Sequence, residues 1–138
     1  MTILETWHIF WEHPFSFSGR SSRKEFWIMF PLLCIFEGIC IMAIHACSFG
    51  TPAEDFMLWI FVTFSVAIMI FIYALFVRRF HDVGINDKWI LLLFFFGIKA
   101  LYSAEMLIIS TILLIIYLGI ATIASQKKEN KYGKPPFI

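Results

Sequence analysis

The stretch FMLWIFVTFSVAIMIFIYALFV, residues Phe56 to Val77, runs directly into Arg78-Arg79 and decides the fold class. It contains no charged residue. At about 1.5 Å per residue it is long enough to cross a ~30 Å hydrocarbon core as a single helix. Trp59 marks one interface and the arginine pair the other, because indole rings favour the headgroup level and guanidiniums stop there.

Composition extends this reading to the whole chain. Of 138 residues, 60% are hydrophobic, 19% are aromatic and only 15% are charged, with a mean hydropathy of +0.81. A single domain of this length needs more polar surface than that to be soluble, so lipid must solvate much of it. The expected class is an all-α integral membrane protein.

Upstream, a second apolar block covers residues 26–48, with Trp27 at its basic end. Downstream, Trp89 to Ile123 would span ~52 Å as one helix, too long for one crossing. Lys99 and Glu105 flank a logical turn, which splits the block into spans over 89–101 and 106–124. The first of these is short enough for a re-entrant segment to be the alternative. Four transmembrane helices are therefore expected.

Charge sets the orientation. Ten of the eleven Lys and Arg residues fall in three segments: Arg20 to Lys24, Arg78 to Lys88, and Lys127 to Lys134. Four crossings place all three on one side and leave only Lys99 opposite, as the positive-inside rule requires. Three crossings would send Lys127, Lys128, Lys131 and Lys134 outside. The expectation is a multi-pass inner-membrane protein with both termini cytoplasmic.

Residues 2–13 read as an interfacial amphipathic helix ending at Pro14. Ile3, Leu4, Trp7, Phe10 and Trp11 share one side of the wheel, and Glu5, His8 and Glu12 the other. No short apolar core with a small-residue cleavage site precedes Arg20, so the first span is expected to act as an uncleaved insertion signal. Residues 125–138 form a polar tail, extended by Pro135-Pro136. Cys34, Cys40 and Cys47 all lie in the first apolar block and match no disulfide or zinc spacing; they read as small packing residues.

Three strings carry recognisable patterning: Gly19-Arg20-Ser21-Ser22-Arg23-Lys24-Glu25-Phe26-Trp27, then Arg78-Arg79-Phe80-His81-Asp82-Val83-Gly84, then Asn130-Lys131-Tyr132-Gly133-Lys134-Pro135-Pro136. Their order and spacing resemble the bacterial "domain of unknown function 805" family of small inner-membrane proteins, over nearly the whole chain. Phe80 stands where such proteins often carry Leu, and Lys131 where Arg is common. The resemblance implies a fold and a location, and no settled activity.

Arg20, Arg23, Arg78 and Arg79 sit at span ends, where guanidiniums can fork onto lipid phosphates. Glu25 and Asp82 supply opposite charge at the same level, and His81 lies between. These seven residues read first as a structural clamp that sets the topology, and in the alternative as a lipid- or partner-binding site, with Gly84 allowing a tight turn. A metal-hydrolase reading of His81-Asp82 lacks a second half, since His8, His13 and Asp87 make no ligand constellation. No catalytic residue, cofactor, metal or nucleic acid is expected.

Glu37 lies near the middle of the first span, where an ionised carboxylate costs about 2.5–3.5 kcal/mol on insertion scales. It must face protein or water, or be protonated. Cys34, Glu37, Gly38, Ile41 and His45 share one arc of the helix, and Ser65, Ser110, Thr111 and Tyr117 are candidate partners for the carboxyl. The leading expectation is a non-enzymatic membrane module that binds anionic lipid headgroups or a protein partner and self-associates as a homo-oligomer. The competing expectation is an oligomeric channel or transporter with a Glu37–His45 path.

Overall fold

The computed structural model describes residues 3–12, 14–46, 51–86, 88–100 and 103–136. His13, Cys47 and Asp87, and the ends of the expected spans at 48 and 101, lie outside the described residues. Five helices follow in order: α1 Ile3–Glu12, α2 Arg23–Ala46, α3 Pro52–Val83, α4 Lys88–Ala100 and α5 Ala104–Thr122.

Local chemistry sets their ends. Thr51 opens α3 with a capping box: its hydroxyl accepts from Glu54 N–H, while the Glu54 carboxylate accepts from Thr51 N–H at 3.0 Å. Pro52 suits the first turn, where its missing N–H costs nothing. Glu54 and Asp55, although charged, thereby belong to the first turn of the helix. At the other end α3 runs past its apolar block through Arg78–Val83 and stops at Gly84, whose φ is 85°. Ile85 N–H reaches Phe80 O at 2.9 Å and Gly84 N–H reaches His81 O at 3.1 Å, the Schellman arrangement that needs a left-handed residue. The second motif is therefore the last turns of α3, which extends past the apolar block ending at Val77.

α2, α3 and α5 are long and apolar enough to cross a membrane. α4, at 13 residues, rises only about 20 Å and falls short of a full crossing. It pairs with α5, and the Tyr117 hydroxyl on α5 donates to Trp89 O at the start of α4. The described chain is thus all-helical, with three long apolar helices and one short one where four spans were expected.

Packing is concentrated at one end. Among the described residues the buried apolar side chains are Phe10 on α1, Phe26, Met29 and Leu33 at the start of α2, Phe71, Ala74 to Val77 and Phe80 at the end of α3, Ile90 at the start of α4, and Tyr117 and Ala121 at the end of α5. Phe76 meets Phe26 edge-on at 5.1 Å, and Phe80 meets Tyr117 at 5.1 Å. The far halves expose Ile39, Met42, Phe56, Trp59, Ile108 and Ile112, a surface suited to hydrocarbon and not to water. Helix α1 lies against the basic end with Phe10 fully buried, while Leu4, Trp7 and Trp11 on its apolar side remain exposed.

Candidate functional site

The three motifs meet at the packed end. Ser21 N–H donates to Arg78 O at 3.1 Å, which fixes the segment before α2 against the end of α3. Ser22 then starts α2, its hydroxyl accepting from Glu25 N–H at 3.1 Å. That Ser-x-x-Glu spacing is a helix-start signal that the charge-based reading passed over.

Asp82 is the centre. It is fully buried, and its two carboxylate oxygens hold different arginines. Oδ1 accepts from Arg20 Nε at 3.0 Å, and Oδ2 accepts from Arg79 Nη1 one helical turn away. The remaining guanidinium protons reach backbone. Arg20 Nη1 donates to Lys128 O at 2.9 Å and Gly133 O at 3.2 Å, and its Nη2 to Gln126 O. Arg79 Nε donates to Ala121 O at 3.0 Å, Nη1 to Ser21 O at 3.1 Å, and Nη2 to Ile123 O. Arg79 thereby satisfies open carbonyls at the C-terminus of α5, where a cation also complements the helix dipole.

The tail closes over this core. Gln126 Nε2 donates to Val83 O at 2.8 Å, and Asn130 Nδ2 to His81 O at 3.0 Å and Gln126 Oε1 at 2.9 Å. The His81 ring stacks on Tyr132 with centroids 3.8 Å apart, and Nδ1 lies 3.3 Å from Gly19 O. Residues of the third motif thus cover the second. Ser125 and Gln126 fall outside all three motifs, and within the motifs the charge pattern gives Ser21, Asn130 and Tyr132 no role, since contacts to backbone carbonyls leave no residue signature.

Arg78 is held differently. Its guanidinium sits 5.4 Å from the Phe10 ring centroid and 3.5 Å from Glu25 Oε1, while Nε and Nη2 are buried with no hydrogen-bond partner among the described residues. The buried cluster therefore holds three guanidiniums, Arg20, Arg78 and Arg79, against two carboxylates, Glu25 and Asp82. Arg23 is set apart from these: exposed, like Lys24, and without an ion pair among the described residues. With Trp27 and Thr122 the two line a surface concavity of about 390 Å³.

Residues 14–134 match the family described as "Protein of unknown function (DUF805)", and that span takes in the first two motifs whole and the third as far as Lys134. The chain belongs to this family. No curated protein and no solved structure matches it. In this DUF805 chain the motif residues therefore take their meaning from geometry: Arg20, Arg79, Asp82 and His81 bind the chain to itself, and Arg23 and Lys24 face outward.

The intramembrane candidates separate. Glu37 Oε1 accepts from Ser65 Oγ at 2.5 Å, which selects one of the four partners considered. Ser110 and Thr111 donate instead to Leu107 O, and Tyr117 to Trp89 O. Cys34, Glu37, Gly38 and Ile41 line one groove, but His45, exposed in the last turn of α2, does not join them.

Proposed function

We propose that this protein is a non-enzymatic, multi-pass module of the bacterial inner membrane, with both termini cytoplasmic, that binds anionic lipid headgroups at Arg23, Lys24 and Trp27. The Arg20–Asp82–Arg79 cluster serves as the clamp that builds this surface. The observation that carries the reading is the pairing of two exposed cations, without an ion pair among the described residues, with a buried cluster one carboxylate short of neutral. An anionic phosphate at the concavity meets an excess of positive charge, the first turn of α2 and an indole at headgroup level.

Arg20 and Arg79 are buried and each makes five internal hydrogen bonds, which moves the expected lipid site from them to Arg23. Each cation near an anionic surface contributes about 1 kcal/mol, so the pair is worth about 30-fold in affinity. Native mass spectrometry of the full chain, exchanged between phosphatidylglycerol and phosphatidylcholine, tests this. Wild type should retain phosphatidylglycerol preferentially, and Arg23→Ala/Lys24→Ala should lose the preference at unchanged melting temperature. Equal retention by both proteins would sink the reading.

A further inference from the structure

Two contacts at the basic end put α3 and α5 in register. Phe80 and Tyr117 meet with ring centroids 5.1 Å apart, and Arg79 Nε donates to Ala121 O at 3.0 Å. Both helices run toward that end, so heights along them compare directly from these anchors. From Arg79 the apolar block of α3 reaches Phe56 after about 34 Å, whereas from Ala121 the first residue of α5, Ala104, comes after about 26 Å. The Phe80–Tyr117 anchor gives about 36 Å against about 20 Å. Helix α4 agrees, since Trp89, whose carbonyl accepts from the Tyr117 hydroxyl, stands about 15 Å from Lys99. The facing ends of α4 and α5 thus stop about 8 Å or more below Phe56, and a ~30 Å hydrocarbon core that fits α3 extends past them.

Those ends carry charge. Lys99, in the last turn of α4, and Glu105, in the first turn of α5, are exposed and make no ion pair among the described residues. The Lys99 ammonium lies 5.8 Å from the Phe95 ring centroid, folded back toward the basic end and not stretched toward the far interface. Glu105 has too short a stem to cover the distance. Ser103, at the N-cap of α5, makes no side-chain bond to the helix, so the first-turn N–H groups lack that acceptor too.

We propose that the α4–α5 hairpin thins the bilayer beside it, with Lys99 and Glu105 drawing headgroups and water of the far leaflet down to their level. Lipid yields at a small cost per ångström of mismatch, and ionised side chains left in hydrocarbon cost more than that deformation. The α2–α3 hairpin, apolar to Phe56 and ended by Glu54 and Asp55, holds full thickness on its own side. The inference rests on the membrane-spanning reading of α2, α3 and α5 and is independent of the headgroup site at Arg23.

Spin labels at Ile108→Cys on α5 and Val66→Cys on α3 test it, in the full chain with Cys34, Cys40 and Cys47 changed to Ala and reconstituted in phosphatidylcholine vesicles. Both positions are exposed, and both stand about 20 Å from the Arg79–Ala121 anchor. In a flat bilayer Ile108 would read as deep as Val66, or deeper. Collision with dissolved oxygen against an aqueous nickel chelate should instead place Ile108 about 8 Å nearer to water than Val66. Lys99→Leu/Glu105→Leu should remove most of that shift and leave Val66 where it was. An Ile108 label as deep as Val66 would overturn the inference, and so would a shift that survives intact in the double variant. Shielding of Ile108 from both probes would place another copy against the hairpin and reject it as well. Oxygen collision at Val66 reads the spanning helix itself, so a failure of the membrane reading is told apart from a failure of thinning.

Discussion

Arg20 Nε stands 3.0 Å from Asp82 Oδ1 although the residues are 62 positions apart, and both side chains are buried. This contact joins the approach to α2, the end of α3 and, through the carbonyls on Arg20, the tail. In a bilayer the hydrophobic effect does not drive helices together, so polar contacts and close packing must specify their arrangement. The Arg20–Asp82–Arg79 cluster supplies that specification where the core is densest.

Removing Asp82 strands two buried guanidiniums. Asp82→Ala should destabilise the protein by about 3–5 kcal/mol, the cost of breaking a buried pair from one side. Unfolding in mixed micelles measures this, and a loss below about 1 kcal/mol would show that the cluster is not a clamp.

Arg20→Lys keeps the charge but not the fork. One ammonium cannot serve Asp82 and the carbonyls of Gln126, Lys128 and Gly133 together. The tail should loosen first, read as faster proteolysis after Ser125 while the α2–α3 hairpin keeps its protection in hydrogen exchange.

Gly84→Ala should cost about 1–2 kcal/mol, because φ of 85° is left-handed and the new Cβ would stand 2.6 Å from Gln126 Nε2. A Gln126→Ala change in the same chain should recover part of the loss by removing the collision. No recovery would assign the whole cost to backbone strain.

The opposite sign is expected in the groove. Gly38→Ala and Gly97→Ala meet open space at ordinary helical φ, so each should stabilise its helix by about 0.5–1 kcal/mol. Melting temperature of the two variants decides it, and a fall would mean that the groove walls close further than the distances indicate.

Thr51→Ala removes a cap at the far end of α3, remote from the cluster. The cost should be local and about 1 kcal/mol, visible as faster amide exchange in residues 53–56 with the basic end unchanged.

Much of the architecture was legible before any geometry. The uncharged run at Phe56 to Val77 required a membrane helix, the break between Lys99 and Glu105 appears as the gap between α4 and α5, and Pro14 follows the end of α1. Thr51-x-x-Glu54 and Ser22-x-x-Glu25 both mark helix starts in the sequence, and each outranks the charge pattern locally. The continuation of α3 through Arg78–Val83 was less accessible, because hydropathy ends a helix where the apolar residues stop, whereas backbone hydrogen bonding carries it to the first left-handed residue, Gly84.

The roles of the polar residues lay beyond the sequence for a different reason. Four arginines at span ends look equivalent as letters, yet Arg20 and Arg79 are consumed by Asp82 and a set of carbonyls, Arg78 sits under Phe10, and Arg23 faces outward. Likewise, four hydroxyl residues were open to Glu37, and only Ser65 reaches it. Hydropathy and charge are properties of single residues summed along the chain, so the sequence alone determined that this is a membrane protein with its basic segments grouped. Which cation is buried and which is free depends on what carbonyls and rings arrive from segments far apart in the chain, and only the tertiary structure decided that.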